Sequence, residues 1–331
     1  MMRGLLCGLL YAVCAGACAA PAAVTDRADV SAFLSDMAAR HGISIDELTD
    51  VFRRVRFSDR VLKAISKPAE ALPWYRYREI FVKPDRIRLG VEFWRENMAT
   101  LRRAEGAYGV PAEIIVAIIG VETRYGRNIG DYRVIDALAT LAFDFPERGE
   151  FFRGELEQYL LLTREQKMDP LGLKGSYAGA MGIPQFISSS YRRFAVDFDI
   201  DGVTDIWKNP ADAIGSVANY FHEHGWLAGG LVTLPAATRP DLRPAVSSGL
   251  EPDLTRADLD SLGVTSPVPP PAGEKVKLLE FETESGPEYW LGFRNFYVIT
   301  RYNHSPLYAM AVYQLAQRIR EASTAHASAK N

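Results

Sequence analysis

The sequence predicts a mainly helical α+β protein whose helices are interrupted, late in the chain, by one small β region. Three observations carry this prediction. Apolar residues recur at helical spacing over much of Val30 to Ala104 and again from Ile114 to Val121. Prolines then crowd positions 235, 240, 244, 252, 267, 269, 270 and 271, which rules out a long helix there. Finally, Lys275 to Thr283 and Tyr289 to Thr300 are rich in β-branched and aromatic residues, as strands are, before helical periodicity returns over Ser305 to Ala322.

The first segment, MMRGLLCGLLYAVCAGACAA, has one Arg, a short apolar stretch and small residues, the pattern of an export signal over residues 1–18. It is too short to span a bilayer as a helix. All three cysteines, Cys7, Cys14 and Cys18, lie within it, so the rest of the chain cannot form a disulfide. Ala15-Gly16-Ala17-Cys18 reads as a degenerate lipobox that lacks the usual Leu and would make Cys18 the lipidated residue. Ala17-Cys18-Ala19 equally suits ordinary signal cleavage. A lipid there would tether a soluble body to a membrane without spanning it.

Residues 25–106 read as a helical domain, with Ser31 a candidate cap and apolar spacing from Ile43 to Ala64. Residues 107–231 carry most of the chemistry. Pro111 suits the first position of a helix, Glu113 lies in its first turn, and Gly126 offers a stop after the apolar run. Ile115, Ile118, Ile119 and Glu122 then share one face, which puts a carboxylate on the stripe that should be buried. Burial disfavours the charged form and raises the pKa, as a general acid requires. A competing reading makes Glu122 a helix-end ion pair with Arg124 or Arg127.

Two further segments stand out. Ser176-Tyr177-Ala178-Gly179-Ala180-Met181-Gly182-Ile183-Pro184-Gln185-Phe186 has the small residues that permit close approach by a ligand or by another chain segment. Asp197-Phe198-Asp199-Ile200-Asp201-Gly202-Val203-Thr204-Asp205 places carboxylates at the first, third, fifth and ninth positions of an EF-hand loop, with glycine at the sixth. The twelfth position is Lys208, where an EF-hand has Glu. The loop is either a site for a hard cation such as Ca²⁺ or a solvated acidic turn.

Residues 232–300 form the Pro-rich β region, and residues 301–324 should be a helix returning to the core. At 331 residues and 48% hydrophobic content the chain can bury a sizeable core in two or three lobes. A net charge of −3 without a long basic run offers no electrostatic footprint for nucleic acid.

Taken together, WYRYREIF, YGVPAEIIVAIIGVETRYG, SYAGAMGIPQF, DIWKNPADAIGSVANYFHEHGW and ITRYNHSPLYAMAVYQLA resemble, in order, the lytic transglycosylases of the membrane-bound B type. The resemblance runs from about Trp74 to the terminal helix. It implies a lysozyme-like catalytic core that cleaves the β-1,4 bond between N-acetylmuramic acid and N-acetylglucosamine in peptidoglycan. Glu122 would be the sole acid/base, and the muramoyl C6 hydroxyl would attack in place of water to leave a 1,6-anhydromuramoyl end.

The same resemblance implies a groove lined by Tyr77, Ser176, Gln185, Tyr220, Tyr302, Asn303 and Tyr308. Arg148 would meet a stem peptide or muramoyl carboxylate, although Glu147 stands where the family often has a second base. The resembling loop is longer than an EF-hand and is closed from the next helix, which assigns a structural Ca²⁺ to the side chains of Asp197, Asp199, Asp201 and Asp212. The Val203 carbonyl would complete the set, with Asp205 acting through water or orienting the loop. No organic cofactor is implied. The expected setting is the periplasm, with a monomer anchored to the outer membrane as a lipoprotein, and with other cell-wall enzymes as potential partners. Two alternatives stay open: a lysozyme-type hydrolase using the same acid, and a non-catalytic calcium-stabilised wall-binding module.

Overall fold

The structure, a computed structural model, describes residues 24–66, 72–239, 244 and 246–328. The export signal and Cys18 lie outside the described residues. The chain divides into two compact units at residue 54, inside the 25–106 stretch expected to form one helical domain.

The first unit has a 3-10 turn at Val24–Asp26 and two helices, α1 at Ala28–His41 and α2 at Ile45–Phe52. The buried residues of the two helices are Val30, Leu34, Met37, Leu48 and Phe52, spaced so that each helix offers one apolar stripe, and Ile43 is buried in the turn between them. Gly42, with φ of 62°, stops α1 in the left-handed conformation. Ser31 does not cap this helix as expected. The helix starts three residues earlier, and the Ser31 hydroxyl donates instead to the Thr25 carbonyl at 2.9 Å.

The second unit opens with α3 at Asp59–Ile65, α4 at Trp74–Phe81, α5 at Pro84–Glu96, α6 at Met98–Tyr108 and α7 at Ala112–Thr123. A two-residue strand β1, Tyr132–Arg133, precedes α8 at Val134–Asp144 and α9 at Gly149–Glu165. Its antiparallel partner β2 is Lys174–Gly175. There follow α10 at Ser188–Phe194 and α11 at Pro210–Glu223, whose Asn209 cap accepts from the Ala211 N–H.

Helix α7 is the centre of this unit. Every residue from Ile114 to Val121 is buried, and α5, α6, α11 and the last helix all pack on it. Pro111 lies one residue outside the first turn, as its N-cap, rather than within it.

The β region is a four-stranded antiparallel sheet made from β3 (Thr233–Thr238), β4 (Val264–Thr265), β5 (Lys277–Thr283) and β6 (Gly286–Gly292), in the order β4-β3-β6-β5. A short helix α12, Arg256–Ser261, starts with a capping box between Thr255 and Asp258. The sheet has its own core of Leu259, Val264, Val276, Leu278, Tyr289, Leu291 and Phe293. Trp74 joins it to α4, with its ring 5.1 Å from Phe281 and its indole N–H donating to Glu288 at 3.0 Å.

The chain departs from the expected strand at Tyr289 to Thr300. Strand β6 ends at Gly292, and Arg294–Thr300 is a helix, α13. Phe296, Val298, Ile299 and Thr300 are buried on all sides, so their bulk reflects packing and carries no period that separates helix from strand. Helix α14, Pro306–Ser328, then returns against α4, α5, α7 and α13, burying Tyr308 through Val312, Leu315, Ala316 and Ile319.

Candidate active site

Helix α7 delivers Glu122 in its last turn and then ends abruptly. Arg124, Tyr125 and Gly126 have successive positive φ values of 52°, 64° and 78°, and the Thr123 hydroxyl donates to the Ile183 carbonyl at 2.9 Å. Two non-glycine residues in the left-handed region are strained, and the surrounding contacts hold them there. The Tyr125 hydroxyl donates to the Arg86 carbonyl at 2.8 Å, and Arg86 donates to the Gly120 carbonyl at the helix end. The guanidinium of Arg124 is drawn away to Asp85 at 2.7 Å. Glu122 therefore forms no ion pair with Arg124 or Arg127 among the described residues, which removes the surface-pair reading.

The Glu122 carboxyl instead faces a groove of about 530 Å³. Its Oε1 accepts a hydrogen bond from the Tyr308 hydroxyl at 2.5 Å. Burial pushes its pKa up to about 7, and the Tyr308 hydrogen bond opposes that rise by favouring the anion. Such a group is substantially protonated at neutral pH and can both give a proton and take one back. It is also the sole carboxyl among the described residues lining the groove.

Of the residues singled out in the sequence, Arg148, Gln185, Tyr220, Tyr302 and Asn303 line the same groove. Gln185 sits at φ of 54° and donates to the Gly182 carbonyl at 2.9 Å, which orients its amide. The Tyr220 and Tyr302 rings lie 4.7 Å apart and tilted by 58°, and each hydroxyl donates to a backbone carbonyl, of Arg301 and Pro184 respectively, at 2.6 Å. Burial raises both phenols, so they remain neutral donors. Arg148 extends over the Phe151 ring at 4.6 Å.

Tyr77, Ser176 and Tyr308 are not among the described residues of the groove wall. Tyr77 is buried in α4, its ring tilted against that of Phe81 at 5.2 Å. The Ser176 hydroxyl accepts from the N–H groups of Ala178 and Ala180, so it holds the turn of its own segment. Tyr308 stands behind Glu122 and reaches the site through that carboxyl. Sequence reasoning missed Phe151, Phe186, Arg301 and His304, which do line the groove. Phe151 had one available signal, lying a helical turn beyond Arg148.

The acidic loop forms a separate site. Ligand atoms of Asp197, Asp199 and Asp212 all lie within 4.8 Å of one another. Asp212 is fully buried and accepts from the N–H groups of Phe198 and Asp205, and burial with the nearby Asp199 and Asp197 raises its pKa. Asp201 is not in this cluster, because its carboxylate accepts from the Val203 N–H two residues on. Asp205 orients the loop by accepting from Trp207 and Lys208. Crowded oxygen donors of like charge, one of them buried, fit a hard cation.

The comparisons with known proteins bear on the whole arrangement. A model of the family described as the transglycosylase SLT domain matches residues 25–317. The membrane-bound lytic murein transglycosylase B of Escherichia coli K12 is 44% identical over 297 residues, covering 87% of this chain and 81% of that protein. Among solved structures, the soluble lytic transglycosylase SltB1 of Pseudomonas aeruginosa superposes with a TM-score of 0.83 at 51% identity, over 89% of this chain and 99% of that one. The Escherichia coli lytic transglycosylase Slt35, solved in complex with calcium, gives 0.82 at 44% identity, over 90% and 95%. With the family model matched over residues 25–317 and the fold shared over about nine-tenths of the chain, the chain belongs to the transglycosylase SLT family as a lytic transglycosylase of lysozyme-like fold that acts on peptidoglycan.

Proposed function

We propose that Glu122 is the sole acid/base of this enzyme. The observation that carries the reading is its isolation: among the described residues it is the one carboxyl lining the groove, with a pKa of about 7. Glycosidases that hydrolyse usually flank the scissile bond with two carboxyls, the second acting as nucleophile or as base for water. Here one group performs both proton transfers. Glu122 protonates the oxygen leaving from C1 of N-acetylmuramic acid as that bond breaks. The C6 hydroxyl of the same sugar then bonds to C1 and returns its proton to Glu122, so the acid is regenerated and no water is consumed.

Tyr308 stabilises the carboxylate that exists between the two transfers, through the hydrogen bond on Oε1. Gln185, Tyr220, Tyr302 and Asn303 position the sugars, and the substrate's own N-acetyl group steadies the oxocarbenium-like centre. The flat aromatic faces suit pyranose rings. Mass spectrometry of fragments released from purified peptidoglycan tests the reading. The wild-type protein should release muropeptides one water lighter than hydrolysis products, and Glu122→Gln should release none. Reducing-end products would move the assignment to a hydrolase.

Asp197, Asp199 and Asp212 would hold a Ca²⁺, with Asp201 held back on the Val203 N–H, and the ion would fix the loop ahead of α11. The donor chemistry supports this. We place the protein in the periplasm as a monomer tethered to the outer membrane by a lipid on Cys18, working beside other wall-remodelling enzymes. The name of the Escherichia coli relative supports a membrane association. No single described helix is long and apolar enough to cross a membrane.

A further inference from the structure

We propose that the catalytic groove continues along α13 into a second cleft that takes the stem peptide of a neighbouring disaccharide on the same glycan strand. The proposal rests on the peptidoglycan substrate argued above.

Arg294, Tyr297 and Arg301 follow one another at i, i+3 and i+7, so they share one face of α13 and its C-terminal cap. Both guanidiniums sit against the Tyr297 ring, at 5.3 Å and 5.8 Å from its centroid. Arg301 lines the groove that holds Glu122, whereas Arg294 lines a different cleft of about 660 Å³. The ladder between them is about 10 Å long, from the 1.5 Å rise of seven helical residues. That is comparable to one disaccharide repeat.

All three ladder residues are half-buried, yet neither arginine pairs with a carboxylate among the described residues. Arg294 donates only to the His224 carbonyl, at 3.3 Å. Both guanidiniums rest on the Tyr297 ring and keep their charge free of any described carboxylate, so an anionic ligand lying along α13 would meet two cations in a row. In the second cleft Lys275 adds a further cation, Glu251 and Glu274 offer sites for an ammonium, and Gly229 has no side chain to cover its peptide groups. A substituent with carboxylates, amides and an amine matches this set. A stem peptide is such a substituent, and the sugars themselves are not.

The cleft floor is built in advance. Asn295 is fully buried, accepts from the Leu227 N–H at 2.8 Å, and donates to the carbonyls of Leu227 and Gly230 at 2.8 and 3.0 Å. A side chain of α13 therefore holds the 227–230 loop in one shape.

Binding can be measured without turnover in a Glu122→Gln background, using glycan strands that carry stem peptides and the same strands stripped by an amidase. Adding Arg294→Glu, or Lys275→Glu at an exposed position that cannot disturb the core, should weaken binding of peptide-bearing strands about tenfold, as loss of a charge-assisted hydrogen bond does. Peptide-free strands should bind within about twofold of the parent, and Arg294→Lys, which keeps the charge but loses the planar fork resting on Tyr297, should fall between the parent and Arg294→Glu. Equal weakening on both ligands would show a structural or glycan effect and overturn the proposal. So would unchanged binding of peptide-bearing strands by both charge reversals. The masses of fragments made by the wild-type enzyme report separately on Glu122, so the two readings fail independently.

Discussion

At the scale of single residues, the Glu122 carboxyl links pH to both rate and stability. With a pKa raised to about 7 by burial, its acid form is lost as pH rises through that value. The rate kcat/KM should therefore fall about tenfold per pH unit well above pH 7, as the proton donor is titrated. The stability effect has the same direction. The native state holds this proton more tightly than the unfolded chain does, so stability is fully present below the unfolded value near 4.5 and is lost as pH rises through about 7. The loss is about 3 kcal/mol for a shift of this size. Glu122→Gln should remove it, leaving the variant more stable than wild type at pH 8 and equal to it below pH 4.5, as followed by denaturant unfolding.

Tyr308→Phe tests the partner. Its hydroxyl favours the anion, so removing it should raise the acid's pKa and move the alkaline limb of the rate profile to higher pH, while the rate at the optimum falls about tenfold. A limb that moved to lower pH would contradict the hydrogen bond's role. Glu122 was legible in the sequence because a 3.6-residue period assigns it to a buried face. Its contact with Tyr308 was not, because that contact joins residues 186 positions apart.

At the scale of elements, the glycine-rich segment shows how a local signal can be sound and still leave its meaning open. Its small residues signalled a close approach by either a ligand or another chain segment. Chain segments make the closest of these approaches. A Cβ on Gly179 would lie 2.4 Å from Leu138 Cδ2 and one on Gly182 2.6 Å from the Ile206 carbonyl oxygen, while one on Gly175, just ahead of the segment, would lie 2.2 Å from the Ala180 carbonyl oxygen. Gly175→Ala must therefore displace backbone around Ser176 to Gln185, the stretch that feeds the groove. We expect a loss of about 1–3 kcal/mol by thermal unfolding, the usual range for overpacking, and a fall in kcat. A fully active, equally stable variant would mean that the segment tolerates movement. The strand expected over Tyr289 to Thr300 failed for the opposite reason. Where Arg294–Thr300 is covered on nearly all sides, composition reports burial and no longer reports period.

At the scale of the whole molecule, order of motifs carried more information than any one of them. The late β region, announced by its prolines, and the returning helix α14 were both legible, because proline and restored apolar spacing act locally. The division at residue 54 was not, since it depends on which helices pack together and no composition shift marks it. The acidic loop sits between these cases: spacing marks Asp197 and Asp199 as candidate ligands, the family resemblance points to Asp212 in α11, and the fold gathers the three carboxylates.

That long-range closure makes the metal a lever on global stability. An ion bound by the folded cluster and not by the unfolded chain adds about 2.7 kcal/mol at a hundred times its dissociation constant. For the larger unit this corresponds to a rise in Tm of about 5–10 °C, by the usual scaling of melting temperature with chain length. Calorimetry should show that rise on adding millimolar Ca²⁺ to chelator-treated protein, and Asp212→Asn should lose most of it. The released muropeptides should be the same with and without the ion at temperatures where both forms are folded, because the cluster and the Glu122 groove share no lining residue. A Tm indifferent to Ca²⁺ would return the loop to a solvated acidic turn, held by Asp197, Asp205 and Asp212 through their backbone hydrogen bonds alone.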